Sequence, residues 1–204
     1  MDFLQIGLSL AVLIVSLTVL EAAHAWAADR LGDPTARLLG RLSFNPLVHI
    51  DPVGTVLFPL MAFATGVPLI GWAKPVPVNF ANLRAPRRDF ALIAAAGPAS
   101  NLVMALAGSV VFAAVYQGGD DLSAPVYGVF FFVMINVLLA VFNMIPVPPL
   151  DGGNVLMGVL PGSAAAVIDR IRPFGILVLY ALILSGILFR VVRPVQEFIL
   201  GFLL

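Results

Sequence analysis

Three long apolar stretches restrict the folds that are open to this chain. Residues 3–28, 89–116 and 126–145 are each predominantly apolar over about the 20 residues that a helix needs to cross a bilayer core. Backbone polar groups in lipid must be satisfied internally, which favours helices. With 61% hydrophobic and only 11% charged residues, the composition departs far from that of a soluble domain. We therefore expect an all-α polytopic membrane protein.

The other apolar segments are less regular. Residues 53–72 are interrupted by prolines and glycines, so this segment either spans or is re-entrant, and a last span lies within 174–204. We expect about four to six membrane segments in a single transmembrane domain over 1–204, with its core at 3–160. Net charge is zero, which gives no reason to expect nucleic acid as a partner.

The connection between the first two full spans carries an extended pattern. Pro75 and Pro77 alternate with Val76 and Val78, and this alternation favours extended chain over helix. The sequence predicts a small membrane-associated β element here.

Basic residues suggest an orientation. They lie in 29–52 and 73–88 and are missing from 117–125. The positive-inside rule then predicts an outside N-terminus, with both basic loops in the cytoplasm. Glu21 and Asp151 would share the cytoplasmic side of the membrane.

The candidate metal ligands are few. Cysteine is absent and the only histidines are His24 and His49, so any metal depends on His, Asp or Glu. Glu21 and His24 form the pattern E-x-x-H, which is the last four positions of the H-E-x-x-H zinc motif. In that motif two histidines bind the metal and the glutamate is the general base. Leu20 stands at the first ligand position. A solvated pair of side chains at the membrane surface is the simpler alternative for Glu21 and His24.

Three further polar residues stand beside or within the spans. Asp151 lies between prolines and two glycines after the third span, where it either reaches into the bundle or forms a turn. Asn101 and Asn143 lie in or at the end of spans. Their amides either hold a substrate backbone or form interhelical hydrogen bonds.

These motifs together resemble one family. The sequences from Glu21 to Trp26, Gly97 to Asn101 and Asn143 to Gly152 occur in that order on three successive spans. This set resembles the site-2 protease family of intramembrane zinc metalloproteases. The connector from Asn45 to Thr55 and the stretch from Gly71 to Asn79 are similar to those of compact bacterial members.

The resemblance implies a function and a set of roles. His24 and Asp151 match zinc ligands, Glu21 matches the general base, and Asn101 and Asn143 match motifs that border the substrate path. The family cleaves peptide bonds of transmembrane substrates with a zinc-activated water. The extended segment resembles a strand that pairs with an unwound substrate. The resemblance implies a bacterial cytoplasmic membrane with the site toward the cytoplasm, and a homo-oligomer is one option.

Leu20 departs from the family pattern, because leucine cannot bind zinc. His24 and Asp151 leave the site one ligand short of the usual catalytic three. Either a ligand has been replaced on a protease scaffold, or the chain is an inactive relative that binds membrane segments, or His49 or Glu21 completes a weaker site. We favour the first two, and we expect reduced zinc affinity. A transporter or channel is disfavoured, because no inverted repeat is visible.

Overall fold

The computed structural model describes residues 3–66, 72–118 and 123–204, and these are almost entirely helical. The α-helices of the described residues are α1 (Phe3–Arg30), α2 (Thr35–Leu38), α3 (Phe58–Thr65), α4 (Pro86–Val115), α5 (Ala124–Asn143), α6 (Asp151–Val159), α7 (Gly162–Ile171), α8 (Gly175–Leu184) and α9 (Ile187–Leu203). Short 3-10 turns lie at Pro46–Val48, Phe80–Asn82 and Arg172–Phe174. The all-α architecture is as expected.

Three of these helices are long and apolar enough to cross a membrane. They are α1, α4 and α5, with 28, 30 and 20 residues. Their bounds agree closely with the three apolar stretches of the sequence. The chain is therefore an integral membrane protein with three candidate spans, or four if a bent C-terminal pair counts as one.

The interrupted segment after His49 forms a short helix. A π-helical turn of six residues, Pro52–Leu57, leads into the eight residues of α3, and Gly66 ends that helix with a left-handed φ of 72°. Asp51 begins it by accepting hydrogen bonds from the amides of Val53 and Gly54. This described helix is shorter than the roughly 20 residues of a span.

The C-terminal region is bent where the sequence suggested a continuous span. The helical run Gly162–Leu184 and the helix Ile187–Leu203 meet at 76°. Gly186 lies between them with a φ of 71°, a left-handed conformation that glycine adopts readily. This break places α8 and α9 against different parts of the bundle.

The expected β element is not found. Among the described residues no strand occurs, and residues 72–79, called the extended segment below, have no regular secondary structure. Pro75 and Pro77 have no N–H group to contribute to a ladder. The backbone of this segment is held instead by separate groups from several parts of the chain.

Helix α4 lies at the centre of the bundle and packs against α1, α5 and α6. Small residues permit close approach, as is usual between membrane helices. A side chain at Gly108 would collide with Phe132 and Val133 of α5, and one at Gly158 of α6 would collide with Ala91. These glycines therefore set the spacing around α4.

Asn136 and Ser16 form a buried hydrogen bond between α5 and α1. The Asn136 amide donates to the Ser16 hydroxyl at 2.9 Å and to its own helix at the Phe132 carbonyl at 2.8 Å. Both residues are fully buried. Since Ser16 lies one turn before Leu20, this bond helps to orient the functional face of α1.

Replacing Ser16 with Ala should lower the free energy of unfolding by about 0.6 kcal/mol, the average for interhelical hydrogen bonds in membranes. Reversible unfolding in mixed micelles measures this change. Ser185→Ala is the control, because the Ser185 hydroxyl is exposed and bonds only to nearby backbone, donating to the Leu182 carbonyl and accepting from the Ile187 amide. Equal losses in the two variants would contradict a specific α1–α5 bond.

Candidate active site

A cavity of about 580 Å³ lies between α1, α5, α8 and the extended segment. Most of its wall is apolar, with side chains such as Leu17, Phe142 and Ile183. Polar side chains gather at one part of it: Glu21, His24, Asn143, Asp151 and Asn154. An apolar chamber with a small polar group of residues is typical of a ligand site.

Helix α1 contributes three residues of the motif to this cavity: Leu20, Glu21 and His24. Leu20 and His24 are four residues apart, so their side chains lie on the same helix face, and both line the cavity together with Glu21. Leu20 is only 5% exposed. The position of the missing ligand therefore faces the site, as the motif requires.

His24 and Asp151 meet in the cavity although 127 positions separate them in sequence. The His24 Nε2 atom lies 3.4 Å from Asp151 Oδ2. That nitrogen is buried and has no well-directed hydrogen bond. The sequence-based prediction placed these two side chains in one site, and the structure brings them together.

Gly97 of α4 makes room for the His24 ring. A methyl group at Gly97 would overlap Nε2 and approach Cδ2 of His24. In the sequence, Gly97 was only the first residue of the motif that ends at Asn101; the structure shows that it approaches the candidate ligand closely.

Asp151 is the first residue of α6 rather than part of an irregular loop. The sequence left a turn open at Asp151, but the prolines precede the helix and the two glycines lie inside it. Gly152 and Gly153 lie against the backbone of Met144 to Pro148, where no side chain fits. A carboxylate at a helix N-terminus is also favoured by the helix dipole.

Glu21 is bonded to the extended segment. Its Oε2 atom accepts a hydrogen bond from the Val76 amide at 3.0 Å, and the residue is 8% exposed. The candidate general base is thus held at the boundary between α1 and the segment that lines the cavity.

Asp33 holds the far end of the same segment. Its carboxylate accepts hydrogen bonds from the Asn79 amide at 2.7 Å, the Asn82 side chain at 2.8 Å and both the amide and hydroxyl of Thr35. Burial raises the pKa of Asp33, but these hydrogen bonds lower it more, so the pKa lies below its usual value. Asp33 was not predicted as a functional residue; its only sequence signal was its position before Pro34.

The two candidate asparagines differ in their placement. Asn143 lines the cavity and donates to the Leu139 carbonyl at 2.9 Å. Asn101 is fully buried in α4, lies outside the cavity lining, and has no described partner for either polar atom of its amide. Of the two asparagines, Asn143 is the one that lines the cavity.

His49 is a structural residue of the connector. Its Nε2–H donates to the Ser43 carbonyl at 2.8 Å, and it does not line the cavity. Burial lowers the pKa of His49, which favours the neutral ring. This placement gives no support to His49 as the third ligand.

The donors that are present fit part of a zinc site. Two ligands about 2.1 Å from a tetrahedral ion lie roughly 3.4 Å apart, which matches His24 and Asp151. A catalytic site ordinarily has three protein ligands, and the described residues contain no cluster of three metal-binding side chains. The described residues therefore do not supply a full catalytic set, and Leu20 lies where the motif places the third ligand.

This combination of fold and site is that of a membrane-embedded metallopeptidase. Residues 116–186 match the model of peptidase family M50. The chain is also 35% identical over 178 residues to YwhC of Bacillus subtilis, named as a candidate zinc metalloprotease, covering 85% of this chain and 78% of YwhC. The chain therefore belongs to peptidase family M50, the site-2 protease family, and is a metalloprotease by family.

Two mycobacterial relatives carry the same kind of name. The Rip2 proteins of Mycolicibacterium smegmatis and Mycobacterium tuberculosis (strain H37Rv), also named as candidate zinc metalloproteases, are 27% and 29% identical over 180 and 174 residues. These matches cover 87% and 84% of this chain but 66% and 64% of the relatives. No solved structure matches the chain.

Replacing Gly97 with Ala should displace the His24 ring, because the added methyl overlaps its Nε2 atom. Overpacking of this kind typically destabilises a protein by about 1–3 kcal/mol. With only two histidines in the chain, ring resonances in NMR spectra report the shift directly. Gly128→Ala in α5, which meets nothing within 4 Å, should leave the His24 signals unchanged. Unperturbed His24 signals in Gly97→Ala would contradict this packing.

Proposed function

We propose that this chain is an intramembrane metalloprotease scaffold that binds transmembrane segments, and whose zinc affinity and turnover are greatly reduced by Leu20. The observation that carries the proposal is the meeting of His24 and Asp151 at 3.4 Å in a largely apolar cavity beside Leu20 and Glu21. Family membership supports zinc-dependent peptide hydrolysis as the chemistry of the scaffold.

We assign the site residues the following roles. His24 and Asp151 are metal ligands, and Glu21 is the general base. Asn143, at the cavity wall, binds the substrate backbone. Asn101 is also assigned to substrate binding, although its side chain is buried in α4. These assignments describe a chain with a third ligand in place; with Leu20 present, we expect little bound zinc.

The extended segment is the proposed contact for substrate. Trp72, Pro75 and Val76 line the cavity beside Glu21. An unwound transmembrane segment has backbone groups that cannot stay unpaired in lipid, and strand addition would satisfy them. On this proposal a β pair forms only when substrate is bound.

The membrane arrangement is also a proposal. The basic residues in 29–52 and 73–88 support a cytoplasmic orientation of the site in a bacterial cytoplasmic membrane. The short Pro52–Leu57 and α3 segment is consistent with a re-entrant element. The substrate of this protein would be a transmembrane protein or peptide.

A binder without proteolysis is the second candidate. It is favoured by one observation: Leu20 is well buried and lines the cavity beside Glu21 and His24. The fold therefore accommodates an apolar side chain at the position of the ligand. In that case the chain captures membrane segments and releases them uncut.

Replacing Leu20 with His distinguishes the two candidates. The new side chain would face the cavity one turn from His24, and zinc affinity should rise by at least about a hundredfold, since even outer-shell changes alter affinity by 10–100-fold. Zinc titration and cleavage of a labelled transmembrane peptide in nanodiscs measure the two effects.

The double variant Leu20→His, Glu21→Gln is the matched control. It should retain zinc without cleavage, because the general base is removed while the ligands remain. If Leu20→His neither bound zinc nor cleaved the peptide, the proposal of a protease scaffold would be wrong and the binder would be favoured.

A further inference from the structure

Arg41 is a buried cation whose described hydrogen bonds all go to backbone carbonyls. It is 7% exposed, and its guanidinium donates to the carbonyl of Lys74 and, at 3.4 Å, to that of Pro75. No ion pair to Arg41 occurs among the described residues. Because a buried charge is costly unless it is compensated, a buried arginine that donates to two carbonyls suggests a specific task.

The chemistry of the extended segment explains why a donor is needed there. Trp72 and Lys74 are held through their own amides, which donate to the carbonyls of Gly54 at 3.2 Å and His49 at 2.8 Å. Pro75 has no N–H, so it can be held only through its carbonyl. Arg41 supplies N–H donors that reach this carbonyl and the preceding one.

Val76, the residue after Pro75, is hydrogen-bonded to Glu21, the candidate general base. The Val76 amide donates to Glu21 at 3.0 Å, directly after the two carbonyls that Arg41 contacts. A shift of residues 74 and 75 would therefore move both the partner of Glu21 and the cavity wall formed by Pro75 and Val76.

We propose that Arg41 is a positioning residue that holds residues 74–76 against Glu21 and keeps the extended segment ready to pair with substrate. This inference rests on the proposed function, since it assigns the segment to substrate. It adds a residue outside the zinc motif and outside the cavity lining to the machinery of binding.

Binding of a defined probe tests the proposal without requiring catalysis. The probe is a fluorescein-labelled peptide with a Leu/Ala segment of about 20 residues and two central glycines, added to the full chain in phosphatidylglycerol-containing nanodiscs. Arg41→Gln should raise the Kd about tenfold, as expected for the loss of a charge-assisted hydrogen bond. Hydrogen exchange of the Val76 amide should accelerate in the same variant.

Two further variants separate positioning from general stability. Arg37→Gln removes an exposed arginine that pairs with Asp29 at 3.2 Å, and it should leave both readouts unchanged. Arg41→Lys keeps the charge but lacks the guanidinium fork, and it should give an intermediate Kd. It also serves as the test if Arg41→Gln does not fold.

An unchanged Kd in the folded Arg41 variants, or an equal loss in Arg37→Gln, would overturn the proposal. If the unmodified chain and Leu20→His both failed to bind the probe, the proposed function would fail instead. The Arg41 claim would then be decided by Val76 exchange alone, and unaltered exchange would refute it.

Discussion

The close approach of α4 to α1 at Gly97 is the contact on which the arrangement of the site depends. It leaves no space beside the His24 ring, which is directed toward Asp151 at the start of α6. The hydrogen bond from Asn136 to Ser16 fixes the same face of α1 from the side of α5. In lipid, close packing and interhelical hydrogen bonds replace the hydrophobic effect as the forces that orient helices. The geometry of the site therefore depends on the spacing of the helices as well as on the candidate ligands.

A second set of contacts forms the wall of the cavity. Asp33 binds the end of the extended segment, Arg41 binds its carbonyls, and Glu21 accepts the Val76 amide between them. No strand pairs with the segment among the described residues, and Pro75 and Pro77 have no N–H, so these separate partners hold it. Consequently it lies as a single unpaired chain beside Glu21, the proposed general base.

Much of this could be predicted from the sequence, for physical reasons. Apolar length predicted α1, α4 and α5, because a bilayer sets the length of a spanning helix. Ordered motifs predicted that His24 and Asp151 lie together. The break at Gly186 and the start of α6 at Asp151 were not predicted, because both depend on how the helices pack. Arg41 and Asp33 were missed because the bonds that hold the segment, from Arg41 to two carbonyls and from the Asn79 amide to Asp33, join residues over 30 positions apart. Such backbone partners leave no pattern in the sequence.

Leu20 gives the account its most direct test, since it occupies the position of a ligand within a site whose other members are in place. The measurement is the zinc content and zinc dissociation constant of the purified, unmodified chain, by elemental analysis and competition with a chelator. The account predicts substoichiometric, readily removed zinc, because His24 and Asp151 supply two ligands where a catalytic site ordinarily has three. One tightly held zinc per chain would contradict it.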